Sequence, residues 1–231
     1  MDYAIIAAGE GSRLSQEGVT LPKPLVKLNG QEMIGRLIDI FLKNNASSVS
    51  IIVNEEMSQV HDYISHLKLD VPFNVVVKST PSSMHSFFEL RNFLRSGKFC
   101  LTTVDTIFKE EEFSQYIKAF MADGESDGMM AVTDFIDDEK PLYVDVDNKM
   151  NIKGFLDKSN NCKYISGGIY GLTPKAIDTL ESCLESGQSR MRNFQRQLVS
   201  DNLNLKAFSF AKIVDVDHAG DIDKAEQFIN S

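Results

Sequence analysis

The sequence has few cysteines and no long apolar segment. Its three cysteines, Cys100, Cys162 and Cys183, are an odd number with wide and irregular spacing, which fits neither a disulfide framework nor a zinc site. No apolar run approaches the roughly 20 residues of a membrane span, and no basic segment leads into an apolar signal region at the N-terminus. We therefore expect a cytoplasmic protein whose cysteines serve for packing.

An excess of positive charge is also missing. The chain of 231 residues carries 33 acidic against 24 basic residues, a net charge of −9. A field of this sign repels nucleic-acid backbones and anionic membranes, so we expect neither as a partner, and an anionic small molecule would need a local cluster of positive groups. Two acid-rich stretches, 109–113 and 134–140, are expected to form solvated surface.

Apolar stretches rich in β-branched residues alternate with segments of helical periodicity in the first half of the chain. The strand-like stretches are 3–7, 49–53, 73–77 and 99–104, and the clearest helical stripe lies in 33–42. This order predicts a parallel sheet with helices on both faces. Ligands of such a sheet bind beyond the C-terminal ends of its strands.

The second half has no helical crossover between its first strand-like stretches, which are 129–135, 142–146, 152–156 and 165–172. We expect these to be antiparallel strands beside the main sheet. Helices at 174–184 and 190–199, a strand pair at 206–210 and 213–216, and a final helix at 219–229 follow. Because the sequence has no linker or repeat, it predicts one α/β domain over 1–231, doubly wound around a mixed, mostly parallel sheet.

The segment AIIAAGEGSRLSQEGVTLPKPLVKL, which contains the first predicted strand, has the composition of a phosphate-binding loop. Gly9 and Gly11 remove side chains, so that backbone N–H groups can close around phosphate oxygens. Arg13 and Lys23 supply concentrated positive charge. Two other phosphate loops do not match, because Leu14 stands where a dinucleotide fingerprint needs a third glycine and GxxxxGK[ST] does not occur.

The stretches AAGEGSRL at 7–14 and PKPL at 22–25 resemble the opening pattern of the sugar-nucleotide pyrophosphorylase family, nucleotidyltransferases with a glycosyltransferase-A-like fold. The resemblance implies a Mg²⁺-dependent enzyme that joins a nucleoside triphosphate to a phosphorylated small molecule and releases pyrophosphate. A sugar 1-phosphate is the first expectation for the acceptor, while phosphocholine, a polyol phosphate or a cofactor precursor would use the same chemistry.

The resemblance also implies a nucleotide-binding half, 1–110, and an acceptor-binding half, 111–231. Ser82 and Ser83 either hydrogen-bond the nucleotide or cap the helix that follows. The other residues expected at the nucleotide are Ala7, Ala8, Gly9, Glu10, Gly11, Ser12 and Arg13.

Carboxylates at strand ends are the candidate metal ligands, because Mg²⁺ is usually held by one or two carboxylates plus substrate oxygens. Asp105 ends the apolar run FCLTTV and resembles the family's metal aspartate. The later segment IVDVDHAGDIDKAEQF resembles the family's closing segment, where Asp215 and Asp217 share one strand face. We favour Asp217 as the second ligand because it stands at the strand end, with Asp215 as the alternative. Asp221 is expected to cap the final helix.

The segment IKGFLDKSNNCKYISGGIY resembles the family's acceptor-binding stretch. Asp157 and Lys158 match its acidic residue and lysine, and Gly167 and Gly168 match its small-residue strand. The resemblance implies that Lys158 binds the acceptor phosphate and aims it at the α-phosphorus. Aspartate replaces the usual glutamate and serine the usual proline, which puts the family's hexose contacts in doubt.

The resulting mechanism needs no general base, since the acceptor phosphate is mostly dianionic at neutral pH with a second pKa of about 6. Arg13, Lys23 and Lys158 are the expected catalytic residues, which stabilise charge and position the reacting phosphates. Two other functions remain open. One is a glycosyltransferase that consumes a nucleotide sugar, and the other is a catalytically silent nucleotide-binding regulatory protein.

Overall fold

The computed structural model describes residues 1–137 and 140–231, so Asp138 and Glu139 of the acid-rich stretch 134–140 lie outside the described residues. Short 3-10 turns occupy Lys23–Leu25 and Arg91–Phe93. The other elements, in chain order, are β1 (Asp2–Ala7), α1 (Ser12–Gln16), β2 (Lys27–Leu28), β3 (Gln31–Glu32), α2 (Met33–Lys43), β4 (Ser48–Val53), α3 (Ser58–Ser65), β5 (Phe73–Val77), α4 (Ser83–Leu90), β6 (Phe99–Thr103), β7 (Thr106–Ile107), α5 (Glu110–Ala122), β8 (Gly128–Thr133), β9 (Tyr143–Val146), β10 (Ile152–Leu156), β11 (Tyr164–Leu172), α6 (Lys175–Glu185), α7 (Met191–Ser200), β12 (Leu205–Phe210), β13 (Val214–Asp215) and α8 (Ala219–Asn230).

The first half of the chain forms the predicted parallel sheet. β1 lies between β4 and β6 and pairs in parallel with both, and β5 continues the sheet beyond β4. In this register Tyr3 is opposite Val49 on one side and Cys100 on the other. The strands therefore end at the same edge of the sheet, and the loops that follow β1 and β6 meet there.

The second half adds antiparallel strands, as the missing crossovers predict. β11 pairs antiparallel with β6, β8 and β9, and β10 pairs antiparallel with β9. The register of β11 shifts between Ser166 and Tyr170, which marks a bulge. Since β11 pairs with β6, the strands of both halves form one continuous sheet.

The predicted strands at 206–210 and 213–216 are both present, but they do not pair with each other. β12 pairs in parallel with β8, and β13 pairs antiparallel with β7. The aromatic rings of Phe208 and Phe210 pack on Tyr116, which joins β12 to α5. The chain then leaves that sheet, and this exit places Asp215 opposite Thr106.

Helices cover both faces of the sheet, so the doubly wound arrangement is confirmed. Along β1, Tyr3 and Ile5 pack into one buried cluster and Ala4 and Ile6 into the other. The first cluster includes residues of α2, α3, α5 and α8, and the second includes residues of α4, α6 and α7. Within residues 1–137 and 140–231, none of these helices has the length and apolar character needed to cross a bilayer.

Candidate active site

A cavity of about 340 Å³ opens at the carboxyl ends of β1 and β6. It lies where an open α/β sheet binds ligands, because loops after neighbouring parallel strands diverge there. Its lining residues are Ile6, Ala7, Gly9, Gly11, Ser12, Arg13, Lys23, Ser83, Thr103, Val104, Asp105 and Asp217.

The glycine loop and the proline-flanked lysine touch each other in this cavity. Gly11 has a φ of 63°, a left-handed conformation that favours glycine. A Cβ atom on Gly11 would lie 2.8 Å from the Cβ of Lys23, so any side chain would push against the lysine stem. Lys23 itself begins a 3-10 turn that follows Pro22. The two motifs are therefore parts of one wall.

Lys23 joins two carboxylates that come from distant parts of the chain. Its Nζ forms an ion pair with Asp105 and lies 2.6 Å from Oδ1 of Asp217, with the lysine side chain only 11% exposed. Burial alone would lower the pKa of Lys23, but the charges and hydrogen bonds of both carboxylates offset this and raise it. Arg13 adds a second cation, with Nη1 3.1 Å from Oδ2 of Asp217.

The backbone fixes the spacing of the two carboxylates. The N–H of Val216 donates to the carbonyl oxygen of Asp105 over 3.1 Å, which ties the segment before Asp217 to the end of β6. At the other side of Asp217, Asp221 accepts hydrogen bonds from the N–H groups of Asp217 and His218. This confirms Asp221 as a cap of α8.

Asp215 is a third carboxylate at the same place. Its side chain is exposed and lines a second cavity beside the first. Its pKa is raised to about 8, first by withdrawal from bulk water and then by the charges of Asp105 and Asp217. Three carboxylates thus share one small region, where negative charge accumulates.

The donor set of this region fits a hard divalent cation. Oxygens of Asp105 and Asp217 already converge on the single ammonium of Lys23, and carboxylate oxygens are the ligands that Mg²⁺ prefers. Among the described residues there is no group of three or more His, Cys, Asp or Glu side chains arranged to hold a metal. A metal at this pair would therefore take its other ligands from substrate and water.

Glu17, the residue that follows α1, contacts the start of α8. Its Oε1 lies 2.6 Å from Nδ1 of His218, and its Oε2 accepts a hydrogen bond of 2.7 Å from the N–H of Ala219. The hydrogen bond to Glu17 raises the pKa of His218, and the same contact lowers the pKa of Glu17. This contact could not be predicted, because a lone glutamate after a short helix matches no motif.

A second cavity of about 290 Å³ adjoins the first. The two cavities share four lining residues, Ile6, Ser83, Thr103 and Asp105. They therefore form one cleft and join at Asp105. The remaining lining residues of the second cavity are Thr106, Lys140, Leu142, Ser166, Gly168, Tyr170, Arg190, Met191, Arg192, Gln195 and Asp215.

Three basic residues of the second cavity were not predicted: Lys140, Arg190 and Arg192. Arg192 donates to Asp157 over 2.6 Å and to the carbonyl oxygen of Lys140 over 3.1 Å. Within the described part of the chain, Arg190 has no ion-pair partner. The cluster SRMR at the start of α7 was the available signal, but paired arginines at a helix start are usually solvated.

The nucleotidyl transferase family matches residues 3–230, which is nearly the whole chain. The chain belongs to the nucleotidyl transferase family. It is 24% identical over 215 residues to the bifunctional protein GlmU of Methanococcus vannielii, an alignment that covers 87% of this chain and 48% of that protein. The chain thus spans about half the length of this curated relative.

Two solved structures share the fold of this nucleotidyl transferase. The inositol-1-phosphate CTP transferase from T. maritima has a TM-score of 0.82 at 20% identity and covers 100% of this chain and 96% of its own. A putative glucose-1-phosphate thymidylyltransferase from Bacillus anthracis has a TM-score of 0.85 at 17% identity with the same coverage of 100% and 96%. These similarities confirm the predicted fold class.

The nucleotide-binding residues predicted for this nucleotidyl transferase are only partly on the cavity wall. Ala7, Gly9, Gly11, Ser12 and Arg13 line the first cavity. The other predicted residues are placed differently. Ala8 is buried and its carbonyl oxygen accepts from Asn54, while Glu10 faces another surface cavity on the far side of the loop.

The two predicted serines have different positions. The Oγ of Ser82 accepts from the N–H of His85 and lies 2.9 Å from its Nδ1, so Ser82 caps α4. Ser83 lines both cavities. Of the two roles left open for these serines, capping therefore applies to Ser82, and Ser83 faces the cleft.

The predicted acceptor residues are separated in the structure. Gly168 lines the second cavity with a φ of 73°, whereas Gly167 is buried and a Cβ there would overlap Cδ1 of Ile213. Asp157 holds the guanidinium groups of Arg192 and Arg196. Lys158 is exposed and lines neither described cavity, because it follows β10 at the edge of the sheet.

Proposed function

We propose that this nucleotidyl transferase joins a nucleoside triphosphate to a small phosphorylated acceptor and releases pyrophosphate with the help of Mg²⁺. The observation that carries the proposal is the ion-pair cluster of Lys23 with Asp105 and Asp217 on the wall of the glycine loop. It unites cations for a triphosphate with carboxylates for a metal, at the junction of two cavities. Each cavity would hold one substrate.

Triphosphate binding is assigned to the first cavity. Arg13 and Lys23 donate to phosphate oxygens, and the glycines let the backbone of residues 9–12 approach them. Asp105 and Asp217 hold Mg²⁺, which when bound neutralises charge on the reacting phosphates. Asp215 contributes a further carboxylate beside this pair, so its ligand role is kept as the alternative to Asp217.

Acceptor binding is assigned to the second cavity. Arg190 and Arg192 provide the positive charge that a phosphoryl group needs, in a fork geometry that suits phosphate oxygens. Asp157 supports this by fixing Arg192. The volume of about 290 Å³ lies at the small end of ligand pockets, which begin at about 300 Å³. It suits a single sugar or polyol ring with one phosphate.

Sugar 1-phosphates and polyol 1-phosphates are therefore the acceptors that we favour. The two solved structures are of an inositol-1-phosphate CTP transferase and a putative glucose-1-phosphate thymidylyltransferase, which supports this class. A dianionic acceptor phosphate attacks the α-phosphorus directly, so a protein base is unnecessary. Lys158 remains a predicted acceptor contact, and comparison of Lys158→Ala with Arg190→Ala tests which residue holds the acceptor.

A screen of pyrophosphate release tests the proposal. The common nucleoside triphosphates would each be combined with glucose 1-phosphate, inositol 1-phosphate, other sugar 1-phosphates, phosphocholine and polyol phosphates, with and without Mg²⁺. Acceptor-dependent release that EDTA abolishes is expected. Nucleotide binding in calorimetry without release in any combination would favour a silent regulatory protein, and sugar transfer from a nucleotide sugar would favour a glycosyltransferase.

A further inference from the structure

The short helix α1 needs outside support to keep its position. It has only five residues, and a helix of that length is not stable in isolation. Leu14 anchors one side of it in the core, where it is 1% exposed. The neighbouring residue, Arg13, lies on the exposed side. The position of the Arg13 guanidinium therefore depends on whatever holds the exposed side.

Two sets of contacts hold that side against the segment 217–219. The first set consists of Arg13 and Lys23 on Asp217, at 3.1 and 2.6 Å. The second set consists of Glu17 on His218 and on the N–H of Ala219, at 2.6 and 2.7 Å. These contacts bridge about 200 positions of sequence, with separations of 201 and 202 residues for Glu17.

Only the second set is independent of the substrates. The proposed function gives Arg13 and Lys23 to the triphosphate and Asp217 to the metal, so their mutual contacts are exchanged when substrates bind. Glu17 lines neither the first nor the second described cavity. Its contact with the start of α8 can persist through binding, and a carboxylate is favourable at a helix N-terminus.

We propose that Glu17 is a positioning residue that keeps the Arg13 guanidinium beside Asp217. It thereby fixes the position of the triphosphate-binding wall relative to the metal-binding carboxylates. This inference rests on the proposed function. Glu17 acts through Arg13, and a displacement of about 1 Å at a reacting centre can reduce catalysis roughly 10²-fold. The contact is at the surface, so its loss has little effect on global stability.

Nucleotide affinity gives the test, because it requires no acceptor. Calorimetry with each common nucleoside triphosphate and Mg²⁺ would compare wild type, Glu17→Ala, Glu17→Gln and the control Gln16→Ala, whose exposed side chain is the neighbour on the same helix. We expect Glu17→Ala to weaken binding by about three- to fivefold. Glu17→Gln should weaken it less, because its amide oxygen still accepts from Ala219, and Gln16→Ala should match wild type. Melting temperatures of the variants would show that all are folded.

A double-mutant cycle separates positioning from general damage. If Glu17 acts through Arg13, then Glu17→Ala should add little to the loss already caused by Arg13→Ala. The inference would be overturned if the affinity losses of Glu17→Ala and Arg13→Ala multiplied in the double variant. It would also be overturned if Glu17→Ala bound nucleotide as tightly as Gln16→Ala. Absence of nucleotide binding by the wild type would instead overturn the proposed function.

Discussion

Replacement of Lys23 by methionine tests the centre of the site most directly, because it removes one ammonium and keeps much of the apolar stem. Lys23 is 11% exposed, while its partners Asp105 and Asp217 are 19% and 42% exposed. Loss of one partner costs about 3–5 kcal/mol in a fully buried pair and about 0–1 kcal/mol at the surface. The partly open geometry places the cost between these limits, at about 2 kcal/mol.

A loss of about 2 kcal/mol should lower the melting temperature of a chain of this size by roughly 4–8 °C. The freed carboxylates would still face each other, so millimolar Mg²⁺ should restore part of the lost stability of Lys23→Met. Wild type should gain less from Mg²⁺ alone, because its own ammonium already lies between the carboxylates. Turnover should fall by roughly 10² or more, since a charge-stabilising donor is lost.

Thermal unfolding in EDTA and in Mg²⁺, with no nucleotide, measures the stability effect, and pyrophosphate release measures turnover. Lys118→Met is the matched control, because it removes one positive charge from an exposed position on α5. An equal Mg²⁺ response in wild type and Lys23→Met would refute the assignment of Asp105 and Asp217 as a shared cation site. Turnover of Lys23→Met within about threefold of wild type would refute the catalytic role of the lysine.

Three further predictions follow from single side chains. Gly11→Ala should weaken nucleotide binding and lower the free energy of unfolding by about 1–3 kcal/mol, as measured in urea titrations. The control Gly18→Ala should lower only the free energy of unfolding, because Gly18 is also at positive φ but has no neighbour within 4 Å. Arg190→Ala should raise the KM of the acceptor at least about tenfold and leave the KM of the nucleotide unchanged in steady-state kinetics; equal changes in both would contradict the assignment of the second cavity. Asp215 has a pKa raised to about 8, first by loss of solvation among the surrounding protein atoms and then by the charges of Asp105 and Asp217, so its contribution to stability is present at low pH and is lost as pH rises through that value. In EDTA, Asp215→Asn should therefore stabilise the protein more near pH 8 than near pH 5, and a pH-independent effect would contradict this interpretation.

The parallel half of the fold could be predicted because its strands are apolar on both faces. The predicted strand at 49–53 and the observed Ser48–Val53 differ by one residue, and the other three parallel strands agree to within one residue. The antiparallel character of the second half followed from the missing crossovers. The partner of residues 206–210 did not follow, because two nearby apolar stretches predict strands without showing which neighbour each will pair with.

The site was predictable where a motif fixes both residue type and position. Lys23 and Asp105 belong to such motifs, and the structure brings them together. Arg190 was missed because arginines before a helix are common on solvated surfaces. Lys158 was expected in the cleft from resemblance, but its place after an edge strand depends on the path of the sheet, which a local motif does not specify.

The contact between the loop after β1 and the start of α8 has a consequence for biosynthesis. A nascent chain that has grown to residue 200 already contains the glycine loop and Asp105, but it lacks Asp217, Ala219 and the whole of α8. Translation proceeds at about 5–20 residues per second, so the glycine loop is synthesised many seconds before residues 217–219. Under the proposed function, nucleotide and metal would be captured together only after synthesis has passed this region, so ligand binding should follow the folding of the parallel sheet.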